Sequence, residues 1–288
     1  MSTPPHNREL ASTYFVQDRH NQKELTRLQL QDQMITTSMG GMLSEQHNPT
    51  SFGQVLDVGS GTGGWLIETA KAYPELSELV GVDISSTMVT YAYTRAEAQQ
   101  VDDRVKFYVM DALRHLEFPS STFGLVNLRF GCSYVRIWEW PDLLVEMLRV
   151  CRPGGVVRLT EPTVIQQSSS PALIQLCTML QRALFLAGHL FEQTSTGITA
   201  HLASMLQQYG ARRVQTKDYV LEYRAGTAEG QAFSQDMVYA FQTLRPFIAR
   251  RGCAPNDYDT IYQQACSEMQ QPDFQATWTF QTAWGYAR

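Results

Sequence analysis

The chain is predicted to be an α/β protein built on a mostly parallel sheet with helices on both faces. Three observations carry this expectation. Residues 55–65 read VLDVGSGTGGW, an apolar run that breaks into glycines and passes into helical spacing from about Trp65. Strand, glycine turn and helix in that order form a backbone cradle for a nucleoside-bearing ligand. Short apolar runs then alternate with helical stretches as far as Pro162, the pattern of right-handed βαβ units. Finally, Asp83 and Asp111 close the second and third apolar runs, on the sheet edge where open α/β folds bind ligands.

In order along the chain, residues 1–7 are polar with two prolines and carry no structural signal. Residues 9–43 have helical spacing, with Leu25, Leu28, Met34 and Ile35 among Gln, Asp and Arg. Asn48 and Pro49 mark a loop. Strands are expected at 54–58, 78–83, 104–110, 123–129 and 156–160. Helices are expected at 64–73, at 86–99 behind an N-cap at Ser85, and at 138–150 before Pro153 and Gly154. Beyond Pro162 the rhythm changes: helices at 171–191, 199–209, 229–250 and 257–269, with strands at 212–223 and 274–286 that could pair antiparallel at the sheet edge. The divisions are an N-terminal helical cover (1–43), a nucleoside-binding core (44–162), a helical lid insertion (163–211) and edge strands with a second helical insertion (212–288), all within one catalytic domain.

The chain's 288 residues suffice for such a domain. A net charge of −5, from 23 basic and 28 acidic side chains without a basic run, argues against a nucleic-acid partner. Five widely spaced cysteines suggest neither a disulfide framework nor a metal site; reduced thiols in a cytoplasmic protein are expected. There is no apolar signal core, and no run approaches a membrane span.

Gly59, Gly61 and Gly64 satisfy the dinucleotide pattern G-x-G-x-x-G. Asp57, two residues earlier, would repel a pyrophosphate but tolerate an ammonium and a sulfonium. S-adenosylmethionine (SAM) has both. Asp83 could accept both ribose hydroxyls, and Asp111 the adenine amino group, with the Ala112 N–H reaching a ring nitrogen.

These positions resemble the class I SAM-dependent methyltransferases, in the small-molecule branch that includes the ubiquinone/menaquinone C-methyltransferases. The likeness rests on LDVGSGTGGW, LVGVDIS, FYVMDALRHLEFPSSTFGLVNLRF and LLVEMLRVCRPGGVVRLTEP, within residues 54–162, and on the ending FQTAWGYAR. It implies a Rossmann-like seven-stranded sheet with one antiparallel strand. It implies that the backbone at Gly59 and Gly61 holds the methionine amino group, Asp83 with Ile84 the ribose, and Asp111 with Ala112 the adenine. Arg129 and Phe130 would line the pocket near the sulfonium, and Asp57 would orient the turn or reach the ligand through water. A helix bearing TRLQLQD resembles the cover helix of relatives, which would bring Arg27 and Gln31 near the methionine portion. Two departures stand out. The histidine pair that many relatives carry after the fourth strand is replaced by Phe130-Gly131-Cys132-Ser133-Tyr134-Val135, and Gly124 stands where an aspartate is common.

Methyl transfer from a sulfonium needs alignment and water exclusion before it needs a base. The candidate bases are Glu161 at the end of the fifth strand, Tyr14, Tyr134, His189 and His201. The apolar stretch 171–191, with Phe233, Met237, Tyr239, Phe241 and Phe247, could line a pocket for a hydrophobic small-molecule acceptor. The same faces would also suit lobe packing or a homodimer. Three functions stay open beside methyl transfer to O, N or C: a cyclisation or rearrangement with SAM bound, a SAM-binding regulator or scaffold, and, more distantly, a nicotinamide-dependent oxidoreductase.

Overall fold

The computed structural model describes residues 14–16 and 22–288. The expectations for residues 1–13 and 17–21 lie outside the described residues.

Five strands run parallel: β1 (Gln54–Val58), β2 (Glu78–Asp83), β3 (Val105–Val109), β4 (Phe123–Arg129) and β5 (Cys151–Pro162). β8 (Gln275–Tyr286) is antiparallel to β5 on one side and to β7 (Arg212–Arg224) on the other. Across the sheet the order is therefore β3-β2-β1-β4-β5-β8-β7. A two-residue strand, β6 (Gln167–Ser168), extends the β5 side of β8 and makes eight strands among the described residues where seven were expected. The late strands do pair antiparallel, and one strand opposes the rest, as the sequence suggests.

Side chains alternate across the sheet with period two. Val55, Leu79, Val105, Leu125 and Val156 face α2 (Gly64–Ala72) and α3 (Ser86–Ala98). Leu56, Val58, Val80, Val126, Leu128, Val157 and Leu159 face the opposite core, which holds α4 (Trp140–Val150). Each such buried branched side chain contributes about 1.5–3 kcal/mol relative to exposure. Ser85 caps α3 by accepting the Met88 N–H (3.5 Å).

The helical additions are α1 (Gln22–Ser38), α5 (Pro171–Leu186), α6 (Leu202–Gln208), α7 (Ala228–Thr243), α8 (Arg245–Arg250) and α9 (Tyr258–Glu268). Two differ from expectation. The helix expected over 229–250 breaks at Leu244, because Pro246 has no N–H to continue the ladder and cannot sit in mid-helix. The helix expected over 171–191 stops at Leu186. Gly188 takes φ +81° and donates to the Phe185 carbonyl (3.0 Å), and the His189 N–H bonds the Leu184 carbonyl (2.9 Å). His189 thus follows the helix instead of lying on it.

Gly124 has a packing reason. A Cβ there would collide with the backbone carbonyl of Phe52, in the short 3-10 turn Pro49–Phe52 that covers β4. Gly124→Ala is expected to cost about 2 kcal/mol or more, lowering Tm by several degrees in a calorimetric scan. An unchanged Tm would show that the 49–52 turn yields freely.

Candidate functional site

The glycine turn is set by β1 and β2 together. The N–H groups of Gly59 and Ser60 both bond the Val82 carbonyl (2.9 Å each). Gly59, Gly61 and Gly63 take φ of +71°, +50° and +73°, a region that side-chain-bearing residues avoid. Gly63, outside the dinucleotide pattern, is the left-handed cap of α2. At Gly59 a side chain would strike the Tyr134 phenol, so bare backbone must face the cavity there.

Asp83 fixes this turn from the end of β2. Its carboxylate accepts the Gly61 N–H (2.9 Å) and the Ser85 N–H (2.8 Å). Asp111 accepts the Leu113 N–H (3.1 Å) and pairs with Arg114 (3.1 Å). Asp57, Gly59, Gly61, Asp83, Ile84, Asp111, Ala112, Arg129 and Phe130 all line one cavity of about 520 Å³, so the structure brings these predicted residues together. Bare turn backbone, two strand-end carboxylates and a third at Asp57 fit an adenosyl group carrying cations. Asp83 at the end of β2 would suit a ribose in either kind of ligand, while Asp57 beside the turn, when ionised, disfavours a nearby pyrophosphate.

Asp57 belongs to a buried polar ladder. Its Oδ1 accepts from Asn127 Nδ2 (2.7 Å), Asn127 Oδ1 accepts from Arg158 (2.8 Å), and Arg158 pairs with Glu45 (2.7 Å). These residues sit at one level of adjacent strands, Asp57 beside Asn127 and Asn127 beside Arg158. Burial pushes the Asp57 carboxyl up to about 7, against the pull of Arg129 and Asn127. Nearby, Arg129 pairs with Asp32 of α1 and lies 5.9 Å from the ring centroids of both Trp65 and Phe130. Asn127, Arg158, Glu45 and Asp32 escaped the sequence reading. The polar residues interrupting the apolar runs of β4 and β5 were the available signal.

Arg27 and Gln31 line the cavity too, but their polar ends are engaged behind it. Arg27 pairs with Glu24 (2.7 Å) and with Asp236 of α7 (3.5 Å), and Gln31 donates to Asp236 (3.1 Å). Burial alone would raise the Glu24 carboxyl; Arg27 outweighs it and holds it below the usual range. Burial keeps Asp236 raised to about 6 despite Arg27. This face of α1 is a buried clamp onto α7.

The candidate bases divide. The Tyr14 and Tyr134 rings line the cavity; Tyr14 donates to Glu24 (2.6 Å) and Tyr134 to the Val58 carbonyl (3.3 Å). Burial raises both phenols well above their ordinary value. Glu161, expected as a base on the functional sheet edge, does not line the cavity. It is fully buried and accepts the N–H groups of Gly131 (2.5 Å) and Cys132 (3.1 Å), anchoring the loop after β4. His189 is also outside the cavity, buried with Nδ1 3.2 Å from the Val135 carbonyl. Burial lowers its imidazole to about 4, so it stays neutral. His201 packs on Phe191 (4.5 Å between centroids), again away from the cavity. Among the described residues no His/Cys/Asp/Glu cluster suits a metal, and no helix is long and apolar enough to cross a membrane.

The cavity wall also carries an apolar set: Ile165, with Leu180 and Leu184 of α5, and Met237, Phe241 and Leu244 at or just past α7. Of the aromatic residues expected there, Phe241 lines it. Phe233 instead stacks on Tyr223 in the lobe core (4.5 Å), and Phe247 packs against Phe15 (5.9 Å).

Two measurements follow from this geometry. Asp83→Ala removes the acceptor that orders Gly61 and faces the cavity, and should weaken SAM binding about tenfold to a hundredfold by calorimetry. Equal affinity would reject the ribose assignment. Burial raises Glu161 to about 7, while the unfolded chain ionises it near its ordinary value. Folded protein therefore holds a proton that unfolded protein has released, and this group's contribution to stability falls as pH rises from about 4 to 7. Because glutamine stays neutral, the Tm of wild type should fall relative to that of Glu161→Gln as pH rises through that window. A gap independent of pH would contradict the shift.

A family described as methyltransferase domain matches residues 55–155. A demethylmenaquinone methyltransferase of Bacillus cereus is 33% identical over 177 residues, 58% of this chain and 73% of that protein. One from Lactiplantibacillus plantarum is 37% identical over 105 residues, 36% of this chain, and the match spans only 43% of that relative's length. In structure the chain resembles the YcgJ protein of Bacillus subtilis, with a TM-score of 0.55 at 16% identity over 88% of this chain and 99% of that one, a likeness of fold.

Proposed function

The chain belongs to the class I SAM-dependent methyltransferases, and from that premise we propose that it transfers a methyl group from SAM to a hydrophobic small molecule. The observation that carries this reading is the continuity of one cavity. Its polar end holds the glycine turn with Asp83 and Asp111, and its apolar end is walled by Leu180, Leu184, Met237 and Phe241.

SAM, when bound, supplies a methyl group on a sulfonium, a leaving group that needs no acid. The chain's task is then to hold, align and dry. Asp83, Asp111 and the turn backbone grip the adenosyl end. Phe130 and Tyr134 stand at the junction, and the helices α5 and α7 keep water from the apolar end. Positioning of this kind can supply roughly 7–11 kcal/mol of a displacement barrier. With Glu161 and His189 turned away, the cavity favours an acceptor atom that is already electron-rich, such as the carbon beside an enol or phenol oxygen. Demethylmenaquinone, the compound in the relatives' names, becomes such an acceptor once a reductant has turned it into its quinol, and the quinol is the first acceptor to try.

The test is incubation with methyl-labelled SAM and either chemically reduced demethylmenaquinone or a lipid extract kept under reductant. The expected result is label in an extractable product with equimolar S-adenosylhomocysteine. Product without S-adenosylhomocysteine would point to rearrangement chemistry, and SAM binding without any product on every extract would point to a scaffold. Phe241→Ala should raise the acceptor KM about tenfold and leave SAM affinity unchanged. A change in SAM affinity alone would place the acceptor elsewhere.

A further inference from the structure

One surface feature lies outside the cavity and outside the reading above. Trp138 is 59% exposed, Leu186 51% and Phe185 37%, large apolar side chains that folding leaves in water. They meet at the turn that ends α5. The Trp138 ring packs over Gly188 so closely that a Cβ there would strike it, and the Ile137 N–H bonds the Gly188 carbonyl (2.7 Å).

Three guanidinium groups surround this tip. Arg136 lies over the Trp138 ring, 5.5 Å from its centroid, with its Nε buried and without a hydrogen-bond partner. Arg251 lies over Phe247 (6.0 Å), whose ring packs against His189 (6.3 Å), the residue after Gly188. Arg182 is exposed on α5, one turn before Phe185 and Leu186. None of the three makes an ion pair among the described residues. The carboxylates on the same segments are engaged: Glu139 accepts the Arg136 N–H (2.7 Å) and Glu192 faces His201 (3.5 Å).

We propose that this tip docks the protein on an anionic phospholipid surface, with Trp138, Phe185 and Leu186 entering the headgroup boundary and Arg136, Arg182 and Arg251 meeting lipid phosphates. Indole rings favour that boundary, and arginines beside it are drawn to anionic headgroups. Three apolar side chains are too few for the core of a stable protein interface, which needs about 800 Å² from each partner. The net charge of −5 gives the molecule no general attraction to an anionic surface, so binding must come from this local cluster and must weaken with salt. The inner face of α5, with Leu180 and Leu184, walls the apolar end of the cavity, so the same helix joins the tip to the acceptor space. That last link rests on the proposed function; docking itself does not.

The experiment is co-sedimentation of the full chain with vesicles of equal parts phosphatidylglycerol and phosphatidylcholine, and with phosphatidylcholine alone. Pelleting is expected with the first and at most a trace with the second. R182E/R251E should weaken it at least about tenfold, and L186S/F185S likewise, with SAM affinity unchanged as the check on folding. Brominated lipid should quench tryptophan emission in wild type, and Trp138→Phe should remove that quenching. No pelleting on anionic vesicles, or pelleting undiminished in both double variants, would overturn the proposal. So would a dimer seen by light scattering that Trp138→Ser abolishes and vesicles do not displace, since the tip would then serve a second copy. Because SAM affinity and methyl transfer are read separately, failure of docking leaves the function test intact.

Discussion

The arrangement depends most on a charge buried where a hydrophobic sheet would otherwise run unbroken. Asp57, Asn127, Arg158 and Glu45 form a continuous ladder across three neighbouring strands and into the loop before β1. Asn127 can serve a carboxylate on one side and a guanidinium on the other only by presenting its amide in one orientation. Any slip in register would strand a charge in the interior, at about 3–5 kcal/mol for a broken buried pair. The ladder therefore fixes how β1, β4 and β5 align. That alignment sets where the glycine turn, Arg129 and the loop anchored by Glu161 emerge at the carboxyl edge.

From that edge two kinds of side chain converge. Asp83 ends β2 and Asp111 follows β3 by two residues; Ser85 and Gly61 N–H groups hold the first and the Leu113 N–H the second, so their directions are set before any ligand arrives. The apolar half is contributed by segments distant in sequence, α5 and α7, and is closed by the clamp of Arg27 and Gln31 onto Asp236. On the proposed function, polar recognition would rest on the rigid sheet and apolar recognition on packed helices, whose positions depend on a buried ion cluster between α1 and α7.

Much of this was legible in the residues. The first four strand runs, Ser85 as a cap, the glycine turn and the two aspartates follow from local rules and appear close to where the pattern puts them; β5 instead starts at Cys151 and runs through Pro153 and the two glycines expected to precede it. What escaped was long-range. Nothing within the segment around Arg27 announces that its partner lies in α7, and the polar face of α1 reads as solvated until Asp236 covers it. Glu161 stands at a strand end like Asp83, yet its carboxylate turns to the loop after β4. The difference lies in a neighbouring backbone, which a spacing argument cannot see. The apolar run continues past Gly188 and so predicts a helix through His189, while the left-handed glycine ends the helix first. The role of Gly124 needed the position of Phe52.

The insertion that carries half of the apolar wall leaves the sheet at Arg224 and returns at Gln275, and these two residues are paired across β7 and β8. Entrance and exit therefore stand side by side. A graft that replaced helices α7, α8 and α9 would keep the strand register, but it would remove one wall of the cavity and also Glu268 of α9, which accepts from Ser170 and Ala172 at the start of α5. Asp236 sets the condition for such a graft. Any replacement must carry its own counterpart to Arg27, or the cover helix must change with it.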